Sequence, residues 1–331
     1  MSDRESVIRD FLARQGWGNA QRHKLAGDAS FRHYERLRDG ASQAMLMDAP
    51  PPQEDVRPFV RMAQHLVDMG YSAPRILAAD EANGLLLLED LGDDTFTRLL
   101  ARGEDEEDLY WLAMDLLIDL HGRGDTAIPS GLPIYDDERL LTEALLLVDW
   151  YIPEMTGAKV PAQKRDDYIH LWRDLFPTAR AVPETVVLRD FHVDNLMRLA
   201  RPGIAACGVL DFQDAVAGPI TYDLMSLLED ARRDIDPALI AGLKRRYLDA
   251  FPTLNPTRFE ASWRVLAAQR HAKVIGIFTR LLRRDGKPIY LSHVPRVWRL
   301  LEQALEHPQM AAMKLWLDEM IPKAQRGVPK P

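Results

Sequence analysis

A change of texture near residue 90 constrains what this chain can fold into more than any single residue does. Before it, short alternating runs are separated by turn signals. Gln21 to Ala26, Phe31 to Arg38 and Ser42 to Asp48 read as strands, and Asp39-Gly40 is a two-residue hairpin signal between the last two. Asp55 to Met69 carries apolar residues at helical spacing and stops at Gly70. Arg75 to Ala79 and Leu85 to Leu88 then flank Asn83-Gly84 as a further hairpin. After Glu89-Asp90-Leu91-Gly92 long helical segments take over: Glu106 to Leu120, Glu138 to Trp150, Ala162 to Phe176, Pro237 to Phe251, Pro256 to Leu282 and much of Val294 to Glu319. Only Val186 to Asp211 breaks that helical stretch, with short β-like runs. The expected class is α+β, a small antiparallel sheet followed by a larger helical unit.

Charge and composition narrow the partners. A formal net charge of -8 argues against nucleic acid, whose binding rests on a basic surface. No apolar run approaches the ~20 residues that cross a bilayer, and the N-terminus reads as an acidic amphipathic helix, so a cytoplasmic protein with no membrane contact is expected. The single cysteine, Cys207, sits among apolar residues and reads as packing. No obligatory protein partner is indicated. The Pro- and Lys-rich tail after Met320 is expected to fray.

The chemistry concentrates in one stretch, Val186-Val-Leu-Arg-Asp190-Phe-His192-Val-Asp194-Asn195-Leu-Met-Arg-Leu199. Two apolar segments are interrupted by two carboxylates, an imidazole and an amide. Asp190 and Asn195 stand in the pattern D-x-x-x-x-N, and Asp211 ends the next apolar run. Phosphoryl transfer from a nucleotide needs a base that orients the acceptor hydroxyl and oxygen ligands for Mg²⁺, and these three side chains supply both. Two other readings stay open on the residues alone. Asp190, His192 and Asp194 alternate, so on an extended strand they would share a face and could bind a hydrolytic metal. The stretch could also be a polar surface loop.

The motifs taken in order resemble the aminoglycoside phosphotransferase and choline-kinase-like family of small-molecule kinases. Leu188-Arg189-Asp190-Phe-His-Val-Asp-Asn195 is similar to its H-G-D-x-x-x-x-N loop, and Leu210-Asp211-Phe212-Gln213-Asp214 to its I-D-[WF]-x-[DE] segment. Gly218-Pro219-Ile-Thr-Tyr222-Asp223-Leu224 follows its G-x-P-x-Y-D-L pattern. A narrower resemblance, carried by Gly27-Asp28-Ala29-Ser30-Phe31-Arg32 and Met45-Leu-Met-Asp48-Ala-Pro50-Pro51, is to the bacterial anomeric sugar kinases of cell-wall recycling.

The resemblance implies a bilobal protein-kinase-like fold, with residues 1–89 as a nucleotide-binding N-lobe, 90–92 as hinge and 93–331 as a helical C-lobe. It implies ATP- and Mg²⁺-dependent transfer to C1 of an N-acetylated amino sugar, N-acetylmuramate or N-acetylglucosamine. A kinase for another small alcohol, such as choline or an aminoglycoside, is the alternative, and a nucleotide-binding pseudokinase the next. Carried over by position, Asp190 is the expected base, Asn195 and Asp211 the Mg²⁺ ligands, and Asp223 a buried brace for the loop. Gly27, Asp28, Ala29 and Ser30 are expected to turn over the phosphates, with Arg32 beside them and the backbone at Glu89 and Leu91 holding adenine. For the sugar, His192, Asp194, Gln213 and Asp214 can hydrogen-bond hydroxyls, and Trp150 and Tyr151 could stack on the ring. Two departures stand out. Leu188 replaces the family's loop His, and the third strand, Gln43-Ala-Met-Leu-Met-Asp48, lacks the phosphate-binding Lys. Arg32 is the first candidate to replace that charge and Arg57 the second.

Overall fold

Cross-strand pairing explains how the first ninety residues fold. In this computed structural model, which describes residues 2–25 and 31–330, the chain begins with helix α1 (Ser2–Arg14). Strands β1 (Gln21–Lys24), β2 (His33–Asp39) and β3 (Ser42–Asp48), helix α2 (Arg57–Asp68) and strands β4 (Ile76–Asp80) and β5 (Leu85–Leu88) follow. Helices α3 (Phe96–Ala101), α4 (Glu106–Gly122), α5 (Asp137–Leu146), α6 (Ile152–Thr156) and α7 (Ala162–Ala179) come next. Strands β6 (Glu184–Val187), β7 (Leu196–Arg198), β8 (Cys207–Val209) and β9 (Val216–Pro219) precede helices α8 (Thr221–Leu228), α9 (Pro237–Ala250), α10 (Pro256–Asp285), α11 (Val294–Leu305) and α12 (Ala311–Met320). The expected α+β class holds.

The chain forms two compact units, residues 1–116 with 193–215, and 117–192 with 216–331. In the first, the described strands make an antiparallel sheet in the order β1-β2-β3-β5-β4. Register places Leu37 opposite Ala44 and Leu46 opposite Leu87, and these pack on Ile8, Phe11 and Leu12 of α1. Burying each such large side chain is worth ~1.5–3 kcal/mol, so Phe11→Asp would break the sheet's outer layer. Successive residues face opposite sides. The other face therefore carries the row Arg36, Met45 and Leu88. The two expected hairpins form, with Gly40 at φ 58° and Gly84 at φ 65°. At Gly84 only glycine fits, since a Cβ would lie 2.0 Å from the carbonyl oxygen of Ala49.

The β7–β8 hairpin belongs to this first unit, although it lies far along the chain from the sheet. Backbone bridges join Ser72 to Gly208 and Thr95 to Met197, and Arg201 on the hairpin's loop reaches Glu89 at 2.6 Å. Residues 90–92 lie inside this unit as well.

In the second unit α10 is the packing centre, almost wholly buried along its length. The helix expected from Glu138 to Trp150 changes character at Leu147, where Leu147–Tyr151 winds as a π turn into α6. Pro153 has no N–H to return to Asp149, and Gly276 of α10 presses on the backbone of Leu146, so the ordinary ladder cannot continue there. The tail does not fray. Arg326 donates to Glu302 at 2.7 Å, to Asp318 and to the carbonyl of Ile321, and its guanidinium lies over the Trp298 ring. Its side chain is 3% exposed, so these contacts outweigh the disorder that the tail's composition suggests.

Candidate active site

In the second unit β6 pairs antiparallel with β9, so the chain enters α8 beside the start of β6, where the Ile220 N–H donates to the Pro183 carbonyl. Asp223 in the first turn of α8 accepts the backbone N–H of Leu188 at 2.6 Å and of Arg189 at 3.0 Å. This is the brace that the family pattern implies. Burial pushes the Asp223 carboxyl up to about 7 against those two donors. Arg189 is held with φ 70°, a conformation rare outside glycine, and its side chain donates to Glu143 on α5. Glu143 also accepts from Tyr135 Oη at 2.5 Å, Lys273 Nζ at 3.0 Å and Gln269 Nε2 at 3.1 Å. Four donors on one half-buried carboxylate fix the residue that precedes Asp190.

Asp190 is half-buried, and desolvation there raises a carboxyl, but Lys273, His192, Arg270 and Arg189 outweigh it and hold Asp190 below the usual carboxylate range. It is an ionised acceptor at neutral pH. His192 is 5% exposed, and burial pushes its imidazole down to about 4, so it is neutral there. Residues 190–195 form turns and not a strand, so Asp190, His192 and Asp194 do not alternate on a shared face. Among the described residues no three His, Cys, Asp or Glu side chains are grouped as metal ligands.

In the first unit the β7–β8 hairpin sets the other half of the chemistry. Asn195 precedes β7 and Asp211 follows β8. The pairing of Leu196 with Val209, continued by the Leu210 N–H on the Asn195 carbonyl at 2.9 Å, places their side chains together. Asn195 Nδ2 is 3.4 Å from Asp211 Oδ2, and Asp211 takes φ 59°. Turning the Asn195 amide by 180° would present its oxygen beside the carboxylate, a pair of hard donors suited to Mg²⁺ completed by phosphate and water. Gln213 Nε2 donates to Asp211 Oδ1 at 2.8 Å and lies 3.4 Å from Asp214 Oδ2, so it braces the acid. Phe212 packs on Phe59 of α2 with ring centroids 5.0 Å apart, which anchors the turn.

Beside this pair, and wholly within the first unit, is a cavity of about 350 Å³. Its lining includes Tyr34, Arg36, Met45 and Leu88 from the sheet's inner face, Glu89 and Leu91 after β5, and Asn195 and Asp211. Arg36 is spent on structure: its guanidinium bonds Asp90, Asp93 and the carbonyl of Gly92, stapling the segment after β5 to the sheet. On β3 the cavity side presents Met45. Arg32 Nη2 stands 3.6 Å from Asp211 Oδ1 and its Nε 3.8 Å from Glu54. Arg57 does not reach the site; its side chain is 73% exposed and bound to Asp55 at 2.7 Å.

The other expected residues divide. Glu89 and Leu91 line the cavity, and the Glu89 carboxylate is occupied by Arg201. Gly27, Asp28, Ala29 and Ser30 lie outside the described residues. Asp194 accepts a hydrogen bond from the Thr97 hydroxyl, and Asp214 is exposed. Trp150 is half-buried in the π turn. Tyr151 cannot stack on a sugar: its ring is fully buried against Trp298, and its hydroxyl donates to the Gly327 carbonyl at 2.7 Å. Sequence reasoning missed Glu143, Tyr135 and Lys273. The available signal was polar residues on positions that helical spacing buries, above all the run Gln269-Arg270-His271 followed by Lys273 in α10.

Comparison with known proteins agrees with this layout. A model of the phosphotransferase enzyme family matches residues 22–260. A protein of Caulobacter vibrioides named N-acetylmuramate/N-acetylglucosamine kinase is 37% identical, over 98% of this chain and 99% of its own. A protein of the same name from Pseudomonas aeruginosa is 39% identical, over 93% of this chain and 92% of its own. The crystal structure of a choline/ethanolamine kinase family protein from Mesorhizobium loti superposes with a TM-score of 0.60 at 14% identity, covering 96% of this chain and 99% of that one, a likeness of fold.

Proposed function

The chain belongs to the phosphotransferase enzyme family, and we propose that it moves the γ-phosphoryl group of ATP to the C1 hydroxyl of N-acetylmuramate and N-acetylglucosamine. The observation that carries this reading is the pair of near-full-length relatives bearing that name at 37% and 39% identity. The site chemistry is compatible. Asp190, kept ionised by the surrounding cations, accepts the proton of the anomeric hydroxyl as its oxygen attacks the γ-phosphorus. An anomeric hydroxyl is more acidic than an ordinary alcohol, so a carboxylate is base enough. Asn195 and Asp211 would hold Mg²⁺, which when bound neutralises charge on the phosphates. Arg32, beside Asp211, supplies positive charge that β3 lacks. Glu89, Leu91 and Arg36 shape the cavity proposed for the adenine, with residues 90–92 as the hinge segment. His192, Asp194 and Asp214 remain the nearby candidates for sugar hydroxyls. Catalysis is then positioning and charge neutralisation, with no covalent intermediate on the protein.

The test is a panel of N-acetylmuramate, N-acetylglucosamine, choline and aminoglycosides incubated with ATP and Mg²⁺, read by mass spectrometry. Sugar 1-phosphates are expected with the wild type and none with Asp190→Asn. Phosphorylation of choline or an aminoglycoside alone would replace the substrate assignment.

A further inference from the structure

A second cavity of about 350 Å³ lies wholly in the second unit, around the N-terminal turns of α5. It is lined by Tyr135, Glu143 and Arg189 of the cluster described above, and by Arg139 and Thr142. Arg189 is thus shared: its side chain lines this cavity, and its backbone leads directly into Asp190, one Cα–Cα step of ~3.8 Å away. A ligand seated on Arg189 would touch the residue that immediately precedes the proposed base.

The charges of the lining are unequally committed. Glu143 is saturated by Arg189, Lys273, Gln269 and Tyr135. Asp136 caps α5 by accepting the Arg139 backbone N–H at 2.9 Å, and Glu138 pairs with Arg173 at 3.2 Å. Thr142 donates its hydroxyl proton to the Glu138 carbonyl at 2.7 Å, which leaves its oxygen free to accept. Among the described residues the Arg139 guanidinium makes no hydrogen bond or ion pair, and the residue is exposed and lines the cavity. One uncommitted cation therefore lines the same cavity as Arg189, the residue before the proposed base.

N-acetylmuramate and N-acetylglucosamine differ at this level of chemistry in one respect: the former carries a lactyl carboxylate and the latter a hydroxyl. Resting on the amino-sugar reading, we propose that this cavity is the acceptor subsite and that Arg139 binds the acceptor's carboxylate, so that it determines preference between acidic and neutral amino sugars. A guanidinium meets a carboxylate with two parallel N–H donors, and an exposed rim position keeps the desolvation cost low. The neutral sugar gains nothing from that charge.

The experiment compares steady-state kinetics of wild type, Arg139→Ala and Arg139→Lys on both sugars. Arg139→Ala is expected to raise KM for N-acetylmuramate about tenfold, the loss of one exposed charge-assisted contact, and to leave KM for N-acetylglucosamine within about twofold. Arg139→Lys should recover part of the loss. Because the side chain is exposed, an unchanged melting temperature will show that the fold is intact. Equal rises for both sugars, or no rise for either, overturn the assignment of Arg139 while the kinase reading stands. Failure of the wild type to phosphorylate either sugar overturns both.

Discussion

The carboxylate of Asp223 accepts the backbone N–H of Leu188 at 2.6 Å, across 35 residues of chain, and also holds the N–H of Arg189. The backbone that enters the candidate catalytic loop is therefore set by α8. Asp223→Asn turns one acceptor into a donor that faces a backbone donor. An unsatisfied buried pair of this kind costs ~1–3 kcal/mol. We expect a fall in urea midpoint of that size and a kcat at least about tenfold lower, with nucleotide affinity unchanged. A kcat within twofold of wild type would show that the loop holds its shape without this brace.

Arg32 Nη2 lies 3.6 Å from the Asp211 carboxylate. Replacing it with Ala should raise the KM for ATP several-fold and leave the acceptor KM in place, and Arg32→Lys should restore part of the affinity. An ATP KM unchanged in Arg32→Ala removes it from phosphate binding.

Lys273 leads the cations that pull the Asp190 carboxyl down against burial. A depressed carboxyl is ionised above its own low pKa, so activity that depends on it is present at neutral pH and is lost only as pH falls through that value. For the wild type the acidic limb of kcat/KM should lie below ~3.9, the ordinary Asp value. In Lys273→Met desolvation is less opposed and the limb should move to higher pH. A limb at the same pH in both proteins would mean that Lys273 acts only through Glu143.

Arg326 buries a guanidinium between Glu302, Asp318 and the Trp298 ring. Arg326→Ala leaves half-buried acids facing each other, and a loss of ~2 kcal/mol is expected, discounted because both acids are about a third exposed. Truncation after Met320 should cost at least as much, since it also removes the Gly327 carbonyl from Tyr151. Unfolding curves that match wild type would restore the expectation of a loose tail.

Much of this was legible in the sequence because it is encoded locally. Asp39-Gly40 and Asn83-Gly84 specify hairpins through the φ that glycine tolerates, and strand alternation then divides Leu37, Ala44 and Leu46 from Arg36 and Met45. The pattern around Asp190, Asn195 and Asp211 pointed to a phosphotransferase through its resemblance to that family's motifs, whose residues lie close together in the sequence. Short elements were less visible. Helix α3 depends on the Thr95 cap, and α8 is buried on every side, so it has no amphipathic period to read.

Which buried charges meet was decided by the tertiary structure alone. Glu143 lies 46 residues from Arg189 and 130 from Lys273, and nothing in the helical spacing of α5 or α10 says that those three converge. The same holds for Arg201 on Glu89 and Arg326 at Trp298, and for Tyr151, whose aromatic ring suited a sugar until packing enclosed it. Backbone propensity and periodicity act over a few residues and survive in the linear order. Pairing of buried charges depends on distances of a few ångströms between segments far apart in the chain, which exist only once the helices have packed.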